Sequence, residues 1–237
     1  MSEGASSSVD AIILVGGLGS RLRAVISEVP KPMAPVRGRP FLDVILAQLR
    51  AFPEVRRAIL AAGYKAEALQ AHYRDAAGFN LRIEFSIESE PLGTGGAVVK
   101  ALRMTEAPHV LVMNGDSYVD FDLQALARLH VASHASVTMV VVAVPDTSRF
   151  GSVDLDATTQ RVTGFREKAQ VGGPGLVNAG CYLLSRAAFS DLPEGPASFE
   201  RDILPRYLDS TYAVLSTGRF IDIGVPETYA KAAELLP

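Results

Sequence analysis

The chain has no tryptophan, one cysteine and four histidines in 237 residues. A lone thiol, Cys181, cannot close an internal disulfide, which fits a reducing compartment and a cytoplasmic location. It lies in an apolar segment, where an inert buried thiol is expected. His72, His109, His130 and His134 lack metal-ligand spacing. Only His130 and His134 stand one helical turn apart, and with no acid between them they read as a solvated helix face. Basic residues do not predominate: 23 Lys and Arg face 26 Asp and Glu, for a formal net charge of −3. That balance argues against a nucleic-acid surface, so an anionic substrate must be drawn by local cations. No apolar run is long enough to span a membrane. Residues 1–10 are small and polar, without the basic and apolar regions of a signal, and read as a flexible leader.

What remains is a regular alternation. Apolar runs at 11–15, 58–62, 82–86, 110–113 and 137–144 predict strands, and helical patterns fill 41–51, 66–73, 95–102 and 123–134. Near-continuous apolar strands alternating with helices imply an α/β fold with a mostly parallel sheet covered on both faces. After Pro145 shorter strands are expected at 153–155, 162–166 and 177–184, as antiparallel additions. Helix is expected around 199–207 and again at 226–236, where Pro226 suits a first helical turn. No linker or repeat divides residues 11–237, so a single domain is expected. Apolar helix faces leave a homo-oligomer, a dimer, open.

In such a sheet the ligand crevice lies beyond the carboxyl ends of the strands. The first strand, ending near Leu14, runs into Gly16-Gly17-Leu18-Gly19-Ser20-Arg21-Leu22. Glycines let backbone N–H groups converge on anionic oxygens. Arg21 and Lys31, the latter between Pro30 and Pro32, add two cations. The Walker pattern fails because Ser20-Arg21 stands where Lys-Ser or Lys-Thr is required, and the dinucleotide fingerprint lacks its third glycine. A phosphate loop of another kind is the better reading.

The strand at 110–113 ends in Asn114-Gly115-Asp116, which either makes a turn or offers Mg²⁺ a carboxylate. Asp222 ends a short apolar stretch in the same way, and its distance from Asp116 is open. Glu90-Pro-Leu-Gly93-Thr94-Gly95-Gly96 is a second glycine-rich helix entry, able to lie flat against a base. Glu167 and Lys168 read as a solvated strand edge. Asn178 interrupts an apolar strand, so it is either hydrogen-bonded in the core or touching ligand.

Taken in order, these segments resemble the sugar-1-phosphate nucleotidyltransferases, from Ala11 onward over nearly the whole chain. The matching pieces are the loop at 16–22, Pro30-Lys31-Pro32-Met33, Glu90 through Gly96, Asn114-Gly115-Asp116, Glu167-Lys168, Asn178-Ala179-Gly180 and Asp222-Ile223-Gly224. Within the family, the wording at 29–35, 90–96 and 219–226 looks most like the branch acting on D-glycero-α-D-manno-heptose 1-phosphate with GTP, which serves bacterial surface polysaccharide. The chain departs from the common pattern at Arg21-Leu22-Arg23-Ala24-Val25-Ile26 and in having Ala169 after Lys168, which suits that branch. Alternatives are a mannose 1-phosphate guanylyltransferase, a UTP- or dTTP-dependent hexose 1-phosphate enzyme, and a non-catalytic relative that binds nucleotide sugar.

The resemblance implies a Rossmann-like, GT-A-like mixed sheet, with 11–145 mainly nucleotide-binding and 146–237 mainly sugar-phosphate-binding. It implies Mg²⁺ held by Asp116 and Asp222, and Arg21, Lys31 and Lys168 as phosphate-neutralising catalytic cations. Leu14, Gly16, Gly17, Gly19, Glu90, Gly93, Thr94 and Gly95 would bind the nucleotide. Gly151, Glu167, Lys168 and Asn178 would bind the sugar phosphate.

Overall fold

The apolar run at 11–15 enters the interior of a mixed sheet. A computed structural model describes residues 8–17, 22, 26, 29–74, 77–166 and 172–236. The first half holds β1 (Val9–Leu14), the ribbon β2 (Pro35–Val36) and β3 (Arg39–Pro40), α1 (Phe41–Arg50), β4 (Val55–Ala62), α2 (Ala66–Tyr73), β5 (Arg82–Ile87) and α3 (Gly93–Leu102). Then come β6 (His109–Asn114), β7 (Ser117–Val119), α4 (Leu123–Ala132), β8 (Val137–Val144), β9 (Ser152–Leu155) and β10 (Val162–Arg166). The chain closes with β11 (Gly175–Ser185), β12 (Thr211–Ser216), β13 (Phe220–Asp222) and α5 (Pro226–Leu235).

Among the described residues nine strands share one sheet. β5, β4, β1 and β6 run parallel in that order. β11 is antiparallel to β6 and β8, and β12 is parallel to β8. β9 continues the edge of β11 beyond β6, and β10 pairs with β9. The expected mostly parallel sheet with antiparallel additions is therefore observed. Because β11 runs backwards, its first half lies at the carboxyl edge where β1 and β6 end, and the crevice forms there.

Successive β1 side chains enter opposite layers, as the pleat requires. Ala11 and Ile13 join a core with α1, α2, α4 and α5, whereas Ile12 packs with α3 and the 199–204 segment. On α1 the buried Phe41, Leu42, Ile45, Leu46 and Leu49 recur with helical period. Fully burying each such side chain contributes about 1.5–3 kcal/mol.

Three expectations need correcting. Val9 and Asp10, assigned to the leader, begin β1. Asp10 is buried and accepts hydrogen bonds from the Glu106 and Ala107 amides and from Arg57, so its charge is compensated inside the fold. The helix expected at 199–207 is instead one π-helical turn, Phe199–Ile203, followed by a 3₁₀ segment, Leu204–Ser210. Pro205 has no N–H to continue an α ladder.

His130 is the third. It lies on the buried stripe of α4, 1% exposed, between the Thr138 hydroxyl at 2.8 Å and the Ser185 hydroxyl at 2.9 Å. Burial, with the His109 ring close by, pushes its pKa down to about 4. Between about pH 6.5 and 4 the unfolded chain therefore holds a proton that native His130 lacks, so stability falls as pH falls. The slope from this one group reaches about 1.4 kcal/mol per pH unit. Urea midpoints from pH 7 to 5 should fall more steeply for the wild type than for His130→Gln. Parallel slopes would remove His130 as the acid-sensitive group.

Candidate active site

At the carboxyl edge β6 ends in Asn114 and turns through Gly115 to Asp116. The Gly115 amide donates to the Leu14 carbonyl at 2.9 Å, so the ends of β1 and β6 are tied together. The strand that follows Asp116, β7, pairs antiparallel with β13, placing Asp222 opposite Ser117. The Ile223 amide donates to the Asp116 carbonyl at 3.0 Å. This two-stranded ribbon brings Asp116 and Asp222 to one cavity, and sequence spacing gave no measure of that distance.

Lys31 completes the cluster. The rigid Pro30-Lys31-Pro32 turn sends its ammonium to 2.5 Å from Asp116 Oδ2, with the lysine side chain 11% exposed. The same ammonium is close to Asp222, for a methyl placed on Gly224 would lie 3.2 Å from it. Burial, and then the Asp116 charge, raises the Asp222 carboxyl above its ordinary range, while Lys31, the Gly224 amide and Arg149 pull it down. A buried carboxylate whose charge is opposed by a neighbouring one, with a cation already paired to that neighbour, forms a donor set suited to more positive charge. Among the described residues no third histidine, cysteine or carboxylate joins them. Such a pair fits Mg²⁺, which takes one or two carboxylates and fills its remaining positions with phosphate oxygens and water.

Two adjoining cavities open here, and the aspartates line one of them. One, of about 420 Å³, is lined by Leu14, Gly16, Gly17, Glu88, Glu90 and Gly93, with Tyr64 and Thr94 beside them. The other, of about 770 Å³, holds Asp116, Asp222, Arg149, Gly151, Asn178 and Glu200. Gly93 and Thr94 line both. Gly151 and Asn178 are tied by a hydrogen bond from the Asn178 amide to the Gly151 carbonyl at 2.9 Å.

Most of the expected site residues thus converge. Leu14, Gly16, Gly17, Glu90, Gly93 and Thr94 share the smaller cavity, and Asp116, Gly151, Asn178 and Asp222 the larger. Gly95 is buried in α3 and donates its amide to the Ala197 carbonyl at 2.8 Å, so it supports the wall without lining it. Gly19, Arg21, Glu167 and Lys168 lie outside the described residues.

Sequence reasoning passed over three side chains at these cavities. The Glu88 carboxylate accepts from the Leu92 amide at 2.9 Å and stands against Gly16. Arg149 lies over the Phe150 ring at 5.5 Å and carries positive charge toward Asp222. Glu200 lines the larger cavity and accepts from Thr94, which lines both. The adjacent Phe150-Gly151 pair was the available sign for Arg149. Nothing in the local pattern marked Glu88 or Glu200.

The family model described as nucleotidyl transferase matches residues 10–237. The D-glycero-α-D-manno-heptose 1-phosphate guanylyltransferase of Aneurinibacillus thermoaerophilus is 39% identical, covering 96% of this chain and 98% of that protein. The enzyme of that name from Campylobacter jejuni is 37% identical, with coverages of 93% and 97%. In the crystal structure of HddC from Yersinia pseudotuberculosis complexed with GMP-PN, the match has a TM-score of 0.83 and 38% identity, covering 95% of this chain and 98% of that one.

Proposed function

The chain belongs to the nucleotidyl transferase family, and on that footing we propose that it joins GTP to D-glycero-α-D-manno-heptose 1-phosphate, yielding GDP-heptose and pyrophosphate. Support comes from relatives carrying that activity in their names and matching over nearly their full length. The observation that carries the reading is the meeting of Asp116, Asp222 and Lys31 at the carboxyl edge, with both aspartates in the wall of the larger cavity and a glycine-walled cavity adjoining it at Gly93 and Thr94.

In this reading a phosphate oxygen of the sugar 1-phosphate attacks the α-phosphorus of GTP. The bond from that phosphorus to the β-bridging oxygen breaks, and pyrophosphate leaves with the electron pair. The nucleophile is already an anion, so the protein's work is positioning and charge compensation, not proton removal. Two unit charges 4 Å apart repel by about 4 kcal/mol at an effective dielectric near 20. Lys31 offsets part of that repulsion beside the reacting phosphorus. Asp116 and Asp222 would hold Mg²⁺, which when bound supplies Lewis-acid neutralisation of the phosphate oxygens. Arg21 would contact the triphosphate, and Lys168 the sugar's phosphate.

The smaller cavity suits guanine, whose N1–H and amino group are donors that a carboxylate in its lining, Glu88 or Glu90, would accept. Asn178 and Glu167 would bind sugar hydroxyls in the larger one, where Gly151 allows close approach. A product of this kind would serve bacterial surface polysaccharide synthesis. Among the described residues no helix is long and apolar enough to cross a membrane.

The test is pyrophosphate release with each of four nucleoside triphosphates and a panel of sugar 1-phosphates in magnesium buffer. Turnover with GTP and the heptose phosphate is expected to exceed every other pair by at least about tenfold, a difference of ~1.4 kcal/mol. A preference for mannose 1-phosphate, or for UTP or dTTP, would replace the assignment with another member of the family. Binding without release would favour a non-catalytic relative.

A further inference from the structure

Glu200 lies on the π-helical turn Phe199–Ile203, an uncommon backbone form often found at functional sites. Its carboxylate is met by hydroxyls. Oε2 accepts from Thr94 Oγ1 at 3.0 Å and from Ser198 Oγ at 3.3 Å, and Oε1 accepts from Tyr182 Oη at 3.3 Å. On each side the hydroxyl that donates to Glu200 also accepts a hydrogen bond. Thr94 Oγ1 already accepts from the Phe199 amide at 2.8 Å, so its own proton goes to Glu200. Tyr182 Oη accepts from Asn178 Nδ2 at 2.5 Å and likewise turns its proton to Glu200. Asn178 is held at its other end by the Gly180 amide, 3.0 Å from Oδ1.

The result is a continuous relay from Thr94, in the wall shared by both cavities, through Glu200 and Tyr182 to Asn178 in the wall of the larger one. Tyr182 itself is 1% exposed and packs at a tilt on Phe199 with ring centroids 4.9 Å apart, so the middle of the relay is anchored in the core while its Thr94 end is exposed. Displacing Asn178 alters what Tyr182 can donate, and Glu200 passes that change to Thr94 at the first turn of α3. At buried Tyr182 the low local dielectric strengthens the hydrogen bonds on either side of its hydroxyl, which stiffens that part of the link.

We propose that Glu200 is a positioning residue that couples the two substrate sites, so that sugar phosphate held at Asn178 tightens the nucleotide's grip at Gly93–Thr94. The coupling rests on the substrate assignment above and adds to it a route by which one site senses the other. Linkage requires it to act equally in both directions.

The measurement is the Kd of a non-hydrolysable GTP analogue, with and without saturating heptose 1-phosphate, in wild type, Tyr182→Phe and Glu200→Gln. In the wild type the sugar phosphate is expected to tighten the analogue by about fivefold or more. Tyr182→Phe removes one hydroxyl that does not line either cavity and keeps the ring packing. Its analogue affinity alone should stay within about threefold of wild type, while the tightening falls to within about twofold of none. Glu200→Gln keeps the shape but offers a donor to one hydroxyl, and should lose the tightening as well even if Tyr182→Phe folds poorly. The KM for sugar phosphate should then cease to depend on GTP concentration in both variants. A wild-type ratio of one, or variants that keep the wild-type ratio, would overturn the proposal. If the wild type binds neither probe, the substrate assignment fails instead, and the same measurement with the pair selected by the release screen decides the relay.

Discussion

Asp222→Asn is expected to cut pyrophosphate release by at least about a thousandfold while leaving the fold as stable as before, or more so. The two effects have one cause. With no divalent cation bound, the Asp222 charge is opposed by burial and by Asp116, and it is only partly offset by Lys31, Arg149 and the Gly224 amide. An asparagine keeps the oxygen that accepts from Gly224 and removes the repulsion. In chelator the melting temperature should therefore hold or rise by a few degrees, since ~1 kcal/mol corresponds to about 2–4 °C in a chain of this size. Magnesium should raise the wild-type melting temperature, because a ligand that binds only the native state stabilises it, and should fail to raise that of the variant. Asp116→Asn differs in sign. It removes the 2.5 Å ion pair of the Lys31 ammonium, 11% exposed, and leaves it only the Asp222 charge nearby, and should lower stability by about 1–3 kcal/mol along with activity. Near-normal turnover in Asp222→Asn, or a surviving magnesium response, would take that carboxylate out of the site.

The contrast between these aspartates shows what the sequence could and could not carry. The central strands were legible because burial on both faces demands unbroken apolar runs, and strand 137–144 is observed with those bounds as β8. Helix 66–73 was legible for its period and is observed as α2. Strand ends bearing Asn114-Gly115-Asp116 could be placed at the crevice by the general rule for open sheets.

The pairing of β7 with β13 could not be read. Three-residue strands are too short to show a period, so the approach of Asp222 to Asp116 had no local sign. His130 was misread for a different reason. Spacing to His134 drew attention, although Leu123, Leu126 and His130 define the buried stripe of α4, and His134 falls beyond the helix in a left-handed conformation. Glu88 and Glu200 were invisible because a carboxylate's role depends on which backbone amides and hydroxyls surround it.

Gly115→Ala is expected to reduce turnover by about a hundredfold or more and to cost about 1–3 kcal/mol of stability. A Cβ at this position would fall 2.6 Å from the Leu14 carbonyl oxygen and 2.7 Å from Val15 Cγ1. Neither neighbour yields cheaply. The Leu14 oxygen is the acceptor of the Gly115 amide, and Val15 is fully buried with its own amide on the Ala61 carbonyl at 2.9 Å. Relief must come from parting the ends of β1 and β6, which carries Asp116 away from the glycine loop and from Lys31. Misplacement of a catalytic group by about 1 Å is enough for a hundredfold loss. The loss should fall on kcat more than on the KM for GTP, because Gly16, Gly17 and Glu90 stand in the other cavity. Kinetics and urea unfolding on the same preparation separate the two contributions. A variant that unfolds like the wild type and turns over at its rate would show that the two strand ends can move apart without consequence, and the tie between them would lose its role.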